Sequence, residues 1–198
     1  EACKKYATPA FVILPTHGFI GESILRSAVR LGAISENRLL QFKQGVATIT
    51  SSLAEDYARV CKGEQKISEF LAKFGHLRPG TYDITSLRYD ERNDLFDSGS
   101  SKLIHETNKI FKLTERERLE IQTLLDASKI DSLDADGLLD YLRRGIAGRE
   151  WGKFVFTKSL SDALVSLTRW GEGEGISRDN LSYLSWTDLE SYLVEPVL

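Results

Sequence analysis

The densest run of chemically versatile side chains in this 198-residue sequence lies between Gly75 and Glu91. It holds one histidine, two arginines, two tyrosines and three acidic residues. Gly75, Pro79 and Gly80 disfavour a helix here, because proline lacks an amide donor and glycine accepts a positive φ. Recognition chemistry concentrated on a loop is typical of a functional site. We therefore predict a large irregular loop at residues 75–91.

The side chains of this loop have the properties of an anion-binding site. The His76 imidazole can donate, accept or carry a proton near neutral pH, and the planar guanidiniums of Arg78 and Arg88 match carboxylate or phosphate oxygens. Tyr82 adds a ring with a hydroxyl, and Asp83 can orient the histidine or an arginine. The alternative is a structural network in which the arginines neutralise the acidic residues of the same loop. Residue chemistry alone leaves both interpretations open.

Signals of other sites are weaker. His17 precedes a segment predicted to be helical, where it is either a loop or capping residue or a binding residue near a helix N-terminus. The spacing of His17, His76 and His105 is not that of metal ligands. The acidic run at residues 131–137 is unlike a calcium loop, since its first and last ligand positions hold a serine and an arginine. We predict that this run is the start of a helix.

Most of the chain shows helical periodicity. Apolar residues at spacings of three and four predict a helix over residues 20–31, closed by Gly32, and a long helix of roughly 40 Å from the Ser35 cap to about Val60. Residues 153–157 are the best strand candidate, but they lead directly into a segment with Ser159 and Asp162 as helix caps. We predict a mainly α fold, a multi-helix bundle with a long central helix.

Shorter helices are predicted around this core. A short helix ends at Gly75, another covers residues 103–113, and Thr114 with Glu117 forms a capping box for the next. The last two helices are predicted to begin near residues 177 and 187. The stretch at residues 98–101 has linker composition, and we treat residues 1–198 as a single helical domain with these residues as a point of subdivision.

Composition limits the class of protein. With 41% hydrophobic and 28% charged residues, the chain has enough apolar side chains for a core. A net charge of -3 argues against nucleic-acid binding, and no apolar run reaches the roughly 20 residues of a membrane helix. Two cysteines do not make a disulfide framework, so we expect a cytoplasmic protein. Because the chain begins at Glu1 and contains no methionine, we expect a fragment of a larger multidomain protein.

The loop also carries a family resemblance. The run GHLRPGTYDI at residues 75–84, followed by RYDE at residues 88–91, resembles a motif of phosphoenolpyruvate synthase-like proteins, the PEP-utilising phosphotransferases. The segments at residues 19–27 and 153–164 extend the resemblance over most of the chain. The chain is similar to the central helical region of these proteins, between the ATP-grasp nucleotide domain and the swivelling phosphohistidine domain.

The resemblance implies an ATP-dependent relay, in which a mobile histidine takes a phosphoryl group and passes it to a small-molecule acceptor such as pyruvate. Related rifampicin phosphotransferases bind their acceptor with a mostly helical middle domain. This chain lacks the ATP-grasp region, the phosphohistidine signature and the pyruvate barrel. The resemblance therefore implies a fragment that is inactive alone and holds no cofactor, with ATP and Mg²⁺ belonging to the full-length protein. Leu77 and Leu87 stand where several relatives have arginine and proline.

The resemblance also implies a site and its partners. The loop would face the visiting phosphohistidine domain, with His76 as a catalytic general base for an acceptor hydroxyl. The expected partners are the ATP-grasp and phosphohistidine domains of the same polypeptide and the acceptor, with no nucleic acid and no membrane. The rival interpretation is a non-catalytic helical spacer or interaction module with an arginine–carboxylate clamp. The predicted substrate-binding residues are Arg78, Tyr82, Asp83, Arg88 and His17.

Overall fold

The structure is a computed structural model that describes Lys5, residues 8–97 and residues 111–194, with side chains described as far as residue 192. Within these residues there are eight α-helices, a 3₁₀ turn at Tyr89–Glu91, and no strand. The predicted mainly α, multi-helix fold is confirmed. The helices are α1 (Thr8–Arg30), α2 (Glu36–Gln44), α3 (Ile49–Cys61), α4 (Ile67–Phe74), α5 (Glu115–Ala127), α6 (Ala135–Gly173), α7 (Arg178–Leu181) and α8 (Trp186–Val194).

The chain divides into two compact units, each formed from two stretches of sequence. Unit 1 comprises Glu1–Glu64 and Ser100–Phe156, and unit 2 comprises Gln65–Gly99 and Thr157–Leu198. Helices α1, α2, α3 and α5 belong to unit 1, and α4, α7 and α8 belong to unit 2. Helix α6 contributes residues to both. The point of subdivision predicted at residues 98–101 lies outside the described residues.

Helix α1 begins earlier than predicted, because it continues through Pro15. Proline inside a helix removes one amide donor and normally interrupts it, which is why the sequence placed the start near residue 20. That start is wrong, and His17 lies inside α1 rather than in front of a helix. The predicted end is confirmed: α1 ends at Arg30, and Gly32 takes the positive φ of +80° that a helix terminus often requires.

The single long helix predicted from Ser35 to Val60 is wrong, because two helices occupy that stretch. Ser35 caps α2 as predicted, with its hydroxyl accepting a backbone amide at 3.3 Å. Gly45 follows the last turn of α2, and Thr48 begins α3 with a capping box. The Thr48 hydroxyl accepts from the Ser51 amide at 3.3 Å, and the Ser51 hydroxyl accepts from the Thr48 amide at 2.9 Å. Apolar residues at helical spacing continue across both helices, so their periodicity alone does not reveal that a second helix begins at Thr48.

The long helix of this protein is α6, which runs for 39 residues. It contains residues 153–157, the strand candidate, as well as Ser159 and Asp162, the predicted caps of a separate helix. Those predictions are wrong. Hydroxyl side chains are tolerated inside α6 because they bond back to carbonyls one turn earlier, as Thr168 does to Leu164 at 2.9 Å. A cap residue in the sequence therefore does not by itself mark a helix end.

Several predicted helix termini are confirmed. The acidic run at residues 131–137 begins α6, with Asp134 Oδ1 accepting from the Gly137 amide at 2.7 Å. Thr114 and Glu117 form the predicted capping box of α5, with reciprocal bonds of 3.2 and 2.8 Å. Residues 101–110 of the helix predicted at 103–113 lie outside the described residues, and residues 111–113 are not helical. Ser177 caps α7, and α8 begins near the predicted position.

Unit 1 has an apolar core formed by the inward faces of α1, α2, α5 and α6. Within this unit α1 and α6 approach closely at glycines. A Cβ added to Gly145 would lie 3.0 Å from the backbone oxygen of His17, and a Cβ on Gly18 would lie 3.0 Å from Arg149 Cβ. The close approach of the two backbones therefore depends on glycine, which has no side chain, at positions 18 and 145.

Gly145→Ala should destabilise the protein by about 1–3 kcal/mol, although alanine has the higher helix propensity by about 1 kcal/mol. The reason is that the added methyl group meets a backbone atom, which cannot rotate away. Urea denaturation measures the free energy of unfolding. Gly173→Ala is the matched control, since no atom lies within 4 Å of an added Cβ there. A Gly145→Ala variant as stable as the wild type would contradict the close approach.

A bidentate ion pair joins α2 to α5 within unit 1. Arg38 Nε and Nη2 each lie 2.7 Å from a carboxylate oxygen of Glu117, and Nη2 also donates to the Lys112 carbonyl at 2.6 Å. The guanidinium carbon lies 4.2 Å from the centre of the Phe111 ring. Hydrogen bonds from Arg38 and from the Thr114 amide outweigh burial and lower the pKa of Glu117 to about 2.

The Glu117 pKa sets the sign of an acid dependence. Because the folded-state pKa lies below the ordinary 4.5, the carboxylate stabilises the fold above pH 4.5 by about 3 kcal/mol, and this contribution is lost as the pH falls towards 2. Glu117→Gln should lose most of this stability at pH 7 and show a flatter decline between pH 4.5 and 2, measured by urea denaturation at each pH. Glu115→Gln, an exposed change in the same turn, is the control and should resemble the wild type.

Candidate functional site

The structure contains the predicted loop at residues 75–91 in unit 2. The loop begins directly after α4 and ends with the 3₁₀ turn. Helix α4 anchors its start by burying Phe70 and Phe74 completely. The two ends of the loop are joined by backbone hydrogen bonds, from the Tyr89 amide to the Leu77 carbonyl at 2.8 Å and from the Asp90 amide to the Gly75 carbonyl at 3.2 Å. The segment is therefore a closed loop whose interior must satisfy its own polar backbone.

Arg78 donates hydrogen bonds to the backbone carbonyls of this loop. It is 8% exposed, and its Nη1 donates to the carbonyls of Asp83 at 3.2 Å and Ser86 at 3.1 Å. Its Nη2 donates to the hydroxyl of Ser161 on α6 at 3.3 Å. No described acceptor bonds to its Nε. Burial lowers the pKa of Arg78, and the Glu91 carboxylate acts in the opposite direction. Arg78 thus braces the loop from inside through neutral acceptors.

His76 is also buried, at 5% exposure. Its carbonyl accepts from the Ser161 hydroxyl at 2.7 Å, so Ser161 binds both His76 and Arg78. A general base has to come within about 3 Å of the proton that it removes. The His76 side chain lies inside unit 2, so a substrate could meet it only after the surrounding side chains move.

Arg88 makes the ion pairs of the loop. Its Nε and Nη2 bind the Asp90 carboxylate at 2.9 and 2.7 Å, and its Nη1 binds Asp162 of α6 at 2.8 Å. Burial acts to lower the pKa of Arg88, but the hydrogen bonds to Asp90 and Asp162 outweigh it and the pKa is raised. Each of the three guanidinium nitrogens already contacts a carboxylate, which leaves little capacity for an external anion.

A further ion pair connects the loop to α7. Both carboxylate oxygens of Glu91 accept from Arg178, and Glu91 Oε2 also accepts from the Arg88 amide at 2.8 Å. The bonds from Arg178, followed by the Arg88 amide, outweigh burial and lower the pKa of Glu91. The end of the loop is therefore fixed to two helices of unit 2, to α6 by Arg88 and to α7 by Glu91.

Tyr82 and Asp83 lie on the solvent-facing part of the loop. The Tyr82 side chain is 65% exposed. The Asp83 carboxylate accepts from the Thr85 amide at 2.8 Å and from the Thr85 hydroxyl at 2.7 Å, which lowers the pKa of Asp83. Asp83 contacts Arg78 through its carbonyl rather than its carboxylate. Its acid group stabilises a local turn.

The six predicted site residues do not form one site within either unit. His17 lies on α1 in unit 1, where its Nδ1 is 3.0 Å from the Tyr141 hydroxyl and its ring meets the Tyr141 ring edge-on. The other five residues belong to the loop in unit 2. Residue chemistry linked all six, but the bonds through Arg78 and Ser161 connect only His76, Arg78 and Asp83. Arg88 bonds to Asp90 and Asp162.

The sequence did not identify three residues on which the loop depends: Ser161, Asp162 and Arg178. Asp162 was interpreted as a helix cap, and Ser161 and Arg178 had no assigned role. They are 70 or more positions from their loop partners. No local pattern links residues so far apart.

The described residues can also be compared with the predictions about metal ions, membrane helices and cysteines. Within the described ranges, no group of three or more His, Cys, Asp or Glu side chains is placed to hold a metal ion. Across the same residues, no helix has both the length and the apolar character needed to cross a membrane. Cys61 carries a free, exposed thiol, and Cys3 and His105 lie outside the described residues.

Comparison with protein-family models, with curated proteins and with solved structures gives no significant match in any of the three. The functional interpretation therefore depends on the loop motif and on the geometry of its side chains.

Arg78→Lys should loosen the loop, because a single ammonium group cannot replace a planar fork that bonds the loop carbonyls and Ser161 together. We expect about 2 kcal/mol less local stability, seen as roughly 30-fold faster hydrogen exchange of the backbone amides at residues 75–91. Arg92→Lys is the matched control, because Arg92 pairs with Asp94 at the surface, and exchange in the loop should stay unchanged. Equal exchange rates in Arg78→Lys and the wild type would show that Arg78 does not brace the loop.

Proposed function

We propose that this chain is the central helical domain of a phosphoenolpyruvate synthase-like phosphotransferase, and that its loop at residues 75–91 is a structural clamp rather than a catalytic centre. The family part of the proposal is supported by the motif GHLRPGTYDI with RYDE and by the flanking segments that resemble the same region. The clamp part is supported by the hydrogen bonds and ion pairs that the loop's polar groups make within unit 2.

The observation that carries the clamp is the bonding of the two motif arginines. Arg78 donates to loop carbonyls and to Ser161, and Arg88 donates to Asp90 and Asp162. Removing one partner from such a network leaves buried groups unsatisfied, which costs about 1–3 kcal/mol for each group. The guanidiniums therefore hold the loop against α6. An acceptor anion would have to displace bonds that the fold already uses.

In this proposal the domain acts as a rigid spacer in the relay. The ATP-grasp domain of the same polypeptide holds ATP and Mg²⁺, and the phosphohistidine domain moves between that site and the acceptor. Reacting groups transfer efficiently only when they are held at a defined separation, so a mobile carrier needs a rigid frame between its docking positions. The whole polypeptide is then a cytoplasmic transferase, and the isolated chain has no activity of its own.

Acceptor recognition by the loop is a second candidate function. It is favoured by the 65% exposure of Tyr82 on a loop whose ends are fixed. An exposed ring with a hydroxyl on a rigid loop can contact a small acceptor by stacking and hydrogen bonding. In this candidate Tyr82 positions the acceptor, and a role for His76 as the general base additionally requires that its surroundings open.

The full-length polypeptide tests the proposed function. Incubated with ATP labelled in its transferable phosphoryl group, it should form an acid-labile phosphohistidine at a position outside these 198 residues. His76→Ala should then keep the rate of transfer to the acceptor within about threefold, whereas loss of a general base would lower it 10²–10⁴-fold.

Two outcomes would contradict parts of the proposal separately. Absence of any phosphohistidine would remove the family assignment. Normal labelling with a transfer rate reduced 100-fold or more in His76→Ala, but unchanged in the control His17→Ala, would remove the clamp and favour the second candidate. Hydrogen exchange of residues 75–91 in His76→Ala shows whether such a loss comes from a loosened loop.

A further inference from the structure

Unit 1 contains a cavity of about 400 Å³, bounded by α1, α5, α6, Phe42 of α2 and the residues around Phe111. It is open to solvent on one side and is not a closed interior void. It lies within the range of roughly 300–1,000 Å³ that is typical of small-molecule sites.

The cavity results from small side chains on one helix. The face of α1 that lines it includes Ser23, Ser27 and Ala28, at helical spacing with larger apolar residues. The opposing faces of α5 and α6 contribute mostly leucine and isoleucine. Short side chains on α1 therefore meet medium-sized ones on its neighbours, and the space between them is left open.

The wall of the cavity selects against charge. None of the described residues that line it is charged, and its polar side chains are three serines and Tyr141. A charged group in contact with this wall would lose hydration without gaining a counter-charge. The wall therefore disfavours phosphate or carboxylate groups and favours an uncharged apolar molecule.

The cavity opens to solvent through an apolar rim. Among its lining residues, Leu31 is 60% exposed, and Ile20, Ile130 and Leu133 are also exposed. Exposed apolar side chains around a concave apolar surface are characteristic of binding sites, since a bound molecule covers them. The rim provides an entry path between the end of α1 and the connection from α5 to α6.

We propose that this cavity is a binding site for an uncharged, mainly apolar molecule of two or three rings. A cavity of about 150 Å³ holds one benzene molecule, so 400 Å³ has room for about two to three rings. The site uses residues of unit 1 alone and does not depend on the proposed role of the loop in unit 2.

The 198-residue chain tests this site with 2-naphthol as the probe, by titration calorimetry. The expected result is saturable binding of one molecule per chain, with naphthalene-2-sulfonate, which has the same rings and a negative charge, at least tenfold weaker. Ser27→Leu fills the cavity and should abolish binding. Thr16→Leu, an exposed change on the same helix outside the cavity, should leave it unchanged.

One further measurement keeps the test independent of the stability of Ser27→Leu. In the wild type, NMR shifts caused by 2-naphthol should centre on α1, α5 and the start of α6. Absence of saturable binding, equal binding of the sulfonate, or shifts confined to other regions would overturn the proposal.

Discussion

The arrangement of unit 2 depends on the burial of one guanidinium. Arg78 places a planar set of donors inside a closed loop, where the carbonyls of Asp83 and Ser86 have no regular secondary structure to satisfy them. A neutral side chain of similar length offers fewer donors in that geometry. The same group reaches Ser161, and this bond ties the loop to α6. Without Arg78, the carbonyls of Asp83 and Ser86 would lose this donor, and the loop would keep its contact with α6 through the His76 carbonyl and Arg88.

The charged groups of the loop are matched within unit 2. Arg88 is matched by Asp90 and Asp162, and Glu91 is matched by Arg178. Because the carboxylates of Asp90 and Asp162 are partly exposed, these pairs contribute little net stability, and their main effect is to fix the geometry of the loop. A loop built in this way is suited to fixing the distance between other parts of a polypeptide. An anion-binding loop would instead keep at least one guanidinium pointing to solvent.

Local sequence predicted helix positions correctly where capping residues and apolar periodicity agreed. The capping box of Thr114 and the glycine at position 32 both predicted helix ends that the structure contains. Prediction failed where a long-range contact overrode a local signal. Pro15 does not break α1, and Asp162 does not begin a helix, because α1 and α6 pack as long elements and the ion pair of Asp162 lies on the side of α6 that meets the loop. Tertiary packing thus decided the boundaries that local propensity left undetermined.

The loop was visible in the sequence because its composition differs from that of its surroundings, but the same composition suits two different purposes. An anion site and an internally bonded loop both need arginine, carboxylate and hydroxyl groups close together. They differ in burial and in partners, and the partners here are Ser161, Asp162 and Arg178, which are distant in sequence. Burial of His76 and Arg78 follows from those contacts and has no separate sequence signal. Density of polar chemistry therefore locates an irregular segment reliably, while the choice between binding and bracing is made by residues elsewhere in the chain.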